Sequence, residues 1–173
     1  MNEALEAELG TLGDLEILDM GCGTGLAGRY LRPRARHLAG IDLSPEMVAH
    51  SRKTDSYDTL EVAEITEWLA RPSAADFNLI TACDTFIYFG DLRQVIVPAA
   101  RRLRPGGWLG FTVERSDSAP VRLNDNGRYS HSSYHIADVA NDAGLSVARI
   151  TECVLRYEYG TPVNALVVVL RRL

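Results

Sequence analysis

The sequence predicts an α/β fold: a doubly wound, mostly parallel sheet with an antiparallel β-hairpin at its C-terminal end. Short apolar runs alternate with stretches of helical periodicity, a pattern typical of strands joined by crossover helices. The run at 77–83 is apolar at nearly every position, as expected for a strand buried on both faces. Two long β-rich runs flank Tyr159-Gly160-Thr161-Pro162, which predicts the terminal hairpin.

Length and composition indicate one domain over residues 1–173, with enough apolar residues for a sizeable core. The net charge of −5 does not favour nucleic acid or an anionic membrane as a partner. We find no signal-peptide pattern and no apolar stretch of transmembrane length. Cys22, Cys83 and Cys153 lack C-x-x-C spacing, and their odd number favours reduced thiols, a cytoplasmic location and no metal site.

The parallel strands follow from the positions of the apolar runs. They are predicted at residues 15–20, 37–43, 60–63, 77–83 and 108–114. Helical periodicity connects them at 3–9, 26–31, 64–70 and 134–143, and a further helix begins at Pro45 with Ser44 as its N-cap.

Two segments interrupt this regular pattern. Residues 91–103 have helical periodicity, but Pro98 lies inside them, which predicts a kink or a helix that begins near Pro98. Residues 116–133 are polar and rich in turn formers, so we expect the longest irregular segment there, a candidate functional loop. Ser133 is the expected N-cap of the helix that follows.

The most informative motif is a glycine turn with an acidic residue on either side. Asp19 precedes Gly21, Gly23 and Gly25 at the end of the first apolar run. Glycines in such a turn let the backbone approach a ligand closely. Asp42 ends the second apolar run, twenty-one residues after Gly21, where a carboxylate can accept hydrogen bonds from both ribose hydroxyls. The spacing predicts a pocket for an adenosine-bearing ligand.

The same segment also satisfies the dinucleotide pattern G-x-G-x-x-G at 23–28. That pattern would place a pyrophosphate at a helix N-terminus. Its third glycine falls inside the expected helix, and Asp19 would repel a phosphate but attract an amino group. A nicotinamide-dependent oxidoreductase is therefore the less favoured alternative.

Four motifs in order resemble those of class I S-adenosylmethionine (SAM)-dependent methyltransferases: LDMGCGTG, IDLSPEM, FNLITACDTFIYF and LRPGGWLGFTVE. The resemblance covers about residues 15–172 and implies a Rossmann-like sheet, SAM as cofactor and methyl transfer to an unidentified small-molecule acceptor. The segments FGD (89–91), GRYSH (127–131) and the final hairpin are similar to methyltransferase domains that follow tetratricopeptide repeats.

The resemblance also implies which residues contact the cofactor. Asp19 would order the loop and contact the methionine amino group, and Asp42 would bind the ribose. Leu43 and Met47 would lie near adenine, although Met47 also suits a helix core; Glu64 or the Ile65 backbone would meet the adenine amino group, although Glu64 also suits a helix start. The full cofactor-binding set is Asp19, Gly21, Cys22, Gly23, Gly25, Asp42, Leu43, Met47, Glu64, Ile65 and Cys83.

Methyl transfer from a sulfonium is an in-line displacement, so the enzyme must mainly align the two reactants. A base is needed only where the acceptor must lose a proton. The candidates are Asp84 to orient the acceptor, Tyr88, with Phe89, as a pocket wall, and His131 for acceptor binding or general-base action. Asp84 also suits a cap of the following segment, and aromatic packing is the equal alternative for Tyr88 and Phe89. For His131, an ordinary exposed loop histidine is the commoner case. We expect His135 to be a surface residue.

Relatives usually carry helices before the first strand, whereas about fourteen residues precede it here. Either the chain is a trimmed domain, or a partner segment or subunit supplies the lid. A SAM-binding domain without turnover is the alternative function. Methylation of nucleic-acid bases is not favoured, because Cys83-Asp84-Thr85-Phe86 lacks the Asn/Asp-Pro-Pro-aromatic motif.

Overall fold

A computed structural model describes residues 1–72 and 77–173 of the chain. In these residues the strands are β1 (Leu15–Met20), β2 (Ala35–Asp42), β3 (Thr59–Val62), β4 (Phe77–Ala82), β5 (Leu103–Arg115), β6 (Val121–Leu123), β7 (Tyr129–His131), β8 (Leu145–Glu158) and β9 (Thr161–Arg172). The α-helices are α1 (Asn2–Leu9), α2 (Gly28–Leu31), α3 (Pro45–Arg52), α4 (Ile65–Ala70), α5 (Arg93–Arg102) and α6 (Ser133–Asp142). Within the described ranges, no helix is long and apolar enough to span a membrane.

The sheet confirms the predicted topology. Its parallel part has the order β3-β2-β1-β4-β5. Strand β9 pairs antiparallel with β5, and β8 pairs antiparallel with β9, so the C-terminal hairpin closes one side. Because the parallel strands share one direction, their carboxyl ends meet at one edge, where doubly wound sheets bind ligands.

The core lies on both faces of the sheet. On one face α4, α5 and α6 cover the larger apolar cluster, to which the sheet contributes residues such as Leu18, Ile80 and Phe111. On the other face α1 and α2 cover a smaller cluster, which includes Ile17 and Leu79. Since side chains alternate along a strand, neighbouring residues in β1 and β4 feed opposite clusters.

The helix that contains Pro98 is continuous. It begins at Arg93, so a start near Pro98 is wrong. A proline inside a helix costs roughly 3 kcal/mol. Here Val95 and Ile96 are fully buried in the larger apolar cluster, and their burial offsets that cost, since a fully buried Val or Ile side chain contributes about 1.5–3 kcal/mol.

The prediction of an irregular segment at 116–133 is wrong. Strands β6 and β7 lie within it and pair antiparallel, and β7 adds in parallel to the last residues of β5, beyond the end of β4. The N-cap of α6 is Ser132, whose side chain accepts a hydrogen bond from the His135 backbone N–H, rather than Ser133. Strand β5 also begins earlier than predicted, because Leu103 pairs with Phe77 before a register shift.

Candidate active site

A cavity of about 810 Å³ lies at the carboxyl ends of β1, β2 and β4. We call it the cofactor cavity; its volume falls in the usual range of small-molecule sites, roughly 300–1,000 Å³. The predicted residues on its wall are Gly21, Gly23, Asp42, Leu43, Met47, Glu64, Ile65, Cys83, Asp84 and Tyr88, with Phe89 beside them. Thr24 and Thr85 also line it and were missed, because a threonine in a loop carries no sequence signal for a ligand.

The glycine turn folds tightly against the end of β2. The backbone N–H groups of Gly21 and Cys22 both donate to the Ile41 carbonyl, at 2.8 and 3.0 Å. Gly21 has a φ of +69°, and a Cβ there would lie 2.3 Å from the Thr85 Oγ1. Only glycine fits this position, because the Thr85 side chain occupies the space that a Cβ would need.

Asp42 joins two loops of the cavity wall. Its Oδ2 accepts from the Gly23 N–H at 2.9 Å, and its Oδ1 accepts from the Ser44 N–H at 2.9 Å. A carboxylate oxygen has more than one lone pair. Both oxygens can therefore hold the loops and still accept from a ligand's hydroxyl groups.

Asp19 lies beneath the glycine turn and not on the cavity wall. It is 1% exposed, and its oxygens accept from the Tyr57 hydroxyl at 2.7 Å and the Thr81 hydroxyl at 2.9 Å. Burial raises its pKa from 3.8 to about 6, although these two hydrogen bonds lower it. The geometry suits the ordering of the loop and shows no direct path to a ligand.

Two further members of the predicted set lie off the wall. Cys22 is buried, and burial raises its pKa to about 12. Gly25 faces the side chains of Ser51 and Thr54. Gly28 is the third glycine of the G-x-G-x-x-G pattern. Packing explains the glycine there, since a Cβ would lie 2.5 Å from the Tyr57 ring.

The side of the cavity formed by α3 and α4 is partly apolar. Leu43 is 69% exposed and Met47 is 36% exposed, so Met47 is not a core residue of its helix. Glu64 is the N-cap of α4 and accepts from the Glu67 N–H at 2.8 Å. Burial acts to raise its pKa, but this bond and the one from the Thr66 hydroxyl outweigh burial and lower it.

Cys83 and Asp84 separate the cofactor cavity from a second cavity of about 550 Å³. The start of α1, residues 149 and 151–155 of β8, and Thr112 and Val167 form its other walls, and we call it the α1–β8 cavity. Burial raises the pKa of Cys83 to about 12, so its thiol is protonated at neutral pH and unsuited to act as a nucleophile. Cys83 also borders a smaller, almost wholly apolar cavity beside α2.

Asp84 is held in place by a long-range ion pair. It has a φ of +53°, its N–H donates to the Thr112 hydroxyl at 2.8 Å, and its Oδ1 accepts from Arg156 Nη1 at 2.8 Å. Arg156 also contacts the carboxylates of Glu114 and Glu158. One arginine of the C-terminal hairpin thus fixes an acid that lines both cavities.

The prediction that His131 lies in an exposed loop is wrong. It is 0% exposed in β7, and its Nε2 lies 3.0 Å from the Gly90 carbonyl oxygen. His135 is also buried, contrary to the expected surface position, and stacks on His131 with ring centroids 5.9 Å apart. Neither histidine lines the cofactor cavity or the α1–β8 cavity. Among residues 1–72 and 77–173, no group of three or more His, Cys, Asp or Glu is arranged to hold a metal.

Comparison with known proteins agrees with this geometry. A family model described as a methyltransferase domain matches residues 18–109, more than half of the chain. The chain belongs to the methyltransferase domain family. The matched residues include the glycine turn, Asp42 and the Cys83–Asp84 junction.

Two curated relatives are O-methyltransferases by name. The chain is 34% identical over 119 residues to malonyl-[acyl-carrier protein] O-methyltransferase of Enterobacter lignolyticus, covering 68% of this chain and 46% of the relative. It is 29% identical over 117 residues to ubiquinone biosynthesis O-methyltransferase of Leptothrix cholodnii, covering 65% and 50%. The chain thus spans about half the length of these relatives.

A solved structure with a similar fold covers nearly the whole chain. The S-adenosylmethionine dependent methyltransferase from Mesorhizobium loti superposes with a TM-score of 0.75 at 21% identity, covering 98% of this chain and 96% of the other. At this level of identity the likeness concerns the fold.

Proposed function

We propose that the chain is a SAM-dependent methyltransferase that transfers a methyl group to a small-molecule acceptor by in-line displacement. The observation that carries the proposal is Asp42, which ends β2 on the wall of the cofactor cavity and accepts from the Gly23 N–H of the glycine turn. Membership of the methyltransferase domain family and the names of the relatives support the same chemistry.

The residues present fit SAM. Gly23 lines the cavity and has open space where a Cβ would stand, which leaves room for close approach, and Asp42 offers carboxylate lone pairs to a ribose. Leu43 and Met47 present apolar surface for an adenine, with Glu64 and the Ile65 backbone nearby. We assign Asp19 to order the turn from below through Tyr57 and Thr81, and Cys22 and Gly25 to shape it.

When bound, SAM supplies an electrophilic methyl group on a positively charged sulfur. The chain's part is then alignment and exclusion of water. The α1–β8 cavity meets the cofactor cavity at Cys83 and Asp84, so we assign it to the acceptor. Asp84, fixed by Arg156, would accept a hydrogen bond from a protic acceptor, and Tyr88 and Phe89 would wall the reaction centre.

Several finer assignments belong to the same proposal. The relatives' names favour an oxygen acceptor, and the likeness to tetratricopeptide-repeat methyltransferases stays part of the hypothesis without naming a substrate. The net charge of −5 disfavours nucleic acid. Three cysteines without disulfides are in keeping with a cytoplasmic protein. A partner segment or subunit would complete the lid over Leu43 and Tyr88, which are strongly exposed.

Calorimetric titration with SAM and S-adenosylhomocysteine (SAH) tests the proposal. We expect micromolar binding by the wild-type chain and at least tenfold weaker binding by Asp42→Ala. Asp42→Asn keeps one acceptor oxygen and should lie between them. Asp125→Ala removes the same charge from an exposed turn and should bind as wild type.

Absence of SAM binding by the folded wild-type chain would refute the assignment, as would NADH binding that competes with SAM. A broad panel of alcohol, phenol, amine and carboxylate acceptors tests the alternative function. Tight SAM binding with no SAH formation across this panel would favour a SAM-binding domain without turnover.

A further inference from the structure

The wall of the cofactor cavity that carries Tyr88 and Phe89 is a short connection. It follows β4 as a single 3₁₀ turn, Phe86–Tyr88, and reaches α5 through Gly90. Its own backbone supplies two bonds, from the Tyr88 N–H to the Thr85 carbonyl and from the Phe89 N–H to the Phe86 carbonyl. Such a segment needs support from its neighbours to hold two aromatic rings in place.

Strand β7 provides that support from behind the wall. His131 Nε2 lies 3.0 Å from the Gly90 carbonyl oxygen. The ring of Tyr129 lies against the same residue, since a Cβ on Gly90 would come 3.0 Å from the Tyr129 Cε1. Gly90 is therefore held by a hydrogen bond from His131 and by packing against the Tyr129 ring. These two residues alternate along β7 and so share one face of the strand.

Strand β7 is itself fixed to the sheet. Glu114 and Arg115 of β5 pair with Ser130 and His131. The Ser116 N–H donates to the His131 carbonyl at 3.0 Å, which continues the attachment past the end of β5. The position of Gly90 is thus tied to the central strands and not only to its own loop.

The hydrogen bond defines the state of the His131 ring. A carbonyl oxygen only accepts, so Nε2 carries the hydrogen and Nδ1 holds a lone pair. Nδ1 is buried without a hydrogen-bond partner in the described residues. Burial lowers the pKa of His131, which keeps the ring neutral at neutral pH. His131 lines neither the cofactor cavity nor the α1–β8 cavity, so the Nδ1 lone pair is out of reach of a ligand there.

We infer that His131 is a positioning residue: its Nε2–H holds the Gly90 carbonyl and thereby sets Tyr88 and Phe89 on the wall of the cofactor cavity. It acts through Gly90 and touches no ligand. The inference rests on the proposed function, because the cavity must bind SAM or SAH for the wall to matter.

Titration with SAH tests this role. His131→Met fills a similar volume without a donor, and we expect about tenfold weaker binding, which corresponds to about 1.4 kcal/mol. His131→Gln retains an N–H at the end of the side chain and should restore affinity to within threefold of wild type. His135→Met is the matched control: it removes a buried, stacked histidine without touching Gly90, and should lower stability but leave SAH affinity unchanged.

Wild-type affinity in folded His131→Met, or equal weakening in His135→Met, would overturn the inference. ¹⁵N NMR of the ring nitrogens provides a test that needs no folded Met variant, since only four histidines must be distinguished. An Nε2–H tautomer with a slowly exchanging proton at His131 supports the hydrogen bond, and an Nδ1–H tautomer overturns it. Failure of the wild-type chain to bind SAH would refute the proposed function, while the NMR result would still decide the hydrogen bond.

Discussion

Asp19 is an acid whose environment resists its ionisation. Burial raises its pKa from 3.8 to about 6, and the nearby charge of Asp42 also raises it. At pH values between 3.8 and about 6, Asp19 is protonated in a larger fraction of folded molecules than of unfolded molecules. The contribution of Asp19 to the free energy of unfolding is therefore present below pH 4, falls as pH rises through about 6, and is constant above that.

Replacement of Asp19 by Asn tests this linkage. Asn does not titrate, and the Tyr57 and Thr81 hydroxyls can rotate to bond its amide. We expect the stability of ligand-free Asp19→Asn relative to wild type to rise by about 1–3 kcal/mol between pH 4 and pH 7, since one pKa unit corresponds to about 1.4 kcal/mol. Urea unfolding of both proteins across this range measures the difference. A difference that does not vary with pH would contradict a raised pKa.

At the scale of elements, the C-terminal hairpin does more than extend the sheet. Arg156 of β8 contacts Asp84, Glu114 and Glu158, and so ties the hairpin to the end of β4 and to the end of β5. Glu114 is nearly fully buried. Arg128 Nη1 lies 4.0 Å from the Glu114 carboxylate, so loss of Arg156 would leave this buried acid with only the more distant cation, which is costly.

We therefore expect Arg156→Met to lower the free energy of unfolding by roughly 2–4 kcal/mol. Arg149→Met on the same strand is the control, because its partner Glu8 lies on α1 and the Arg149 side chain is more exposed. Pairs at exposed sites contribute about 1 kcal/mol or less. Thermal and urea unfolding of the two variants should separate them clearly. Equal losses would mean that the buried carboxylate of Glu114 is compensated without Arg156.

Elements with a local signal were predictable and elements fixed by distant pairing were not. The apolar run 15–20 and the Ser44-Pro45 cap gave strand β1 and the start of α3 correctly, because their signals lie within a few residues. The segment 116–133 reads as polar, yet β7 is buried because it pairs with the end of β5. Polarity alone cannot show that a histidine will be enclosed by such pairing.

In the candidate site, too, residues with a local sequence signal were predictable and contacts between distant residues were not. The glycine turn and Asp42 have characteristic spacing, and the structure brings them together through the Gly23 N–H. Arg156 lies 72 residues after Asp84 and reaches it only because the hairpin returns beside β5. The burial of Asp19 under Tyr57 likewise depends on a contact between residues 38 positions apart.

At the scale of the whole molecule, α1 contributes to the core and to two of the cavities but not to the cofactor cavity. Leu5 and Leu9 bury their side chains in the smaller apolar cluster with Leu79 and Val169. The first residues of α1 border the α1–β8 cavity and the apolar cavity beside α2. No residue of α1 lines the cofactor cavity. Stability and cofactor affinity should therefore be separable by a change in this helix.

Leu9→Ala is the variant that separates them. Leu9 is 3% exposed and lines none of the three cavities, so its truncation should lower the free energy of unfolding by about 2–4 kcal/mol. Leu12→Ala, at a side chain that is 52% exposed, should cost less than about 0.5 kcal/mol. Both variants should bind SAH as the wild type does at a temperature where they are folded, as measured by calorimetry. Weaker SAH binding by folded Leu9→Ala would show that α1 shapes the cofactor cavity through the sheet. Stability and cofactor affinity would then not be separable by a change in this helix.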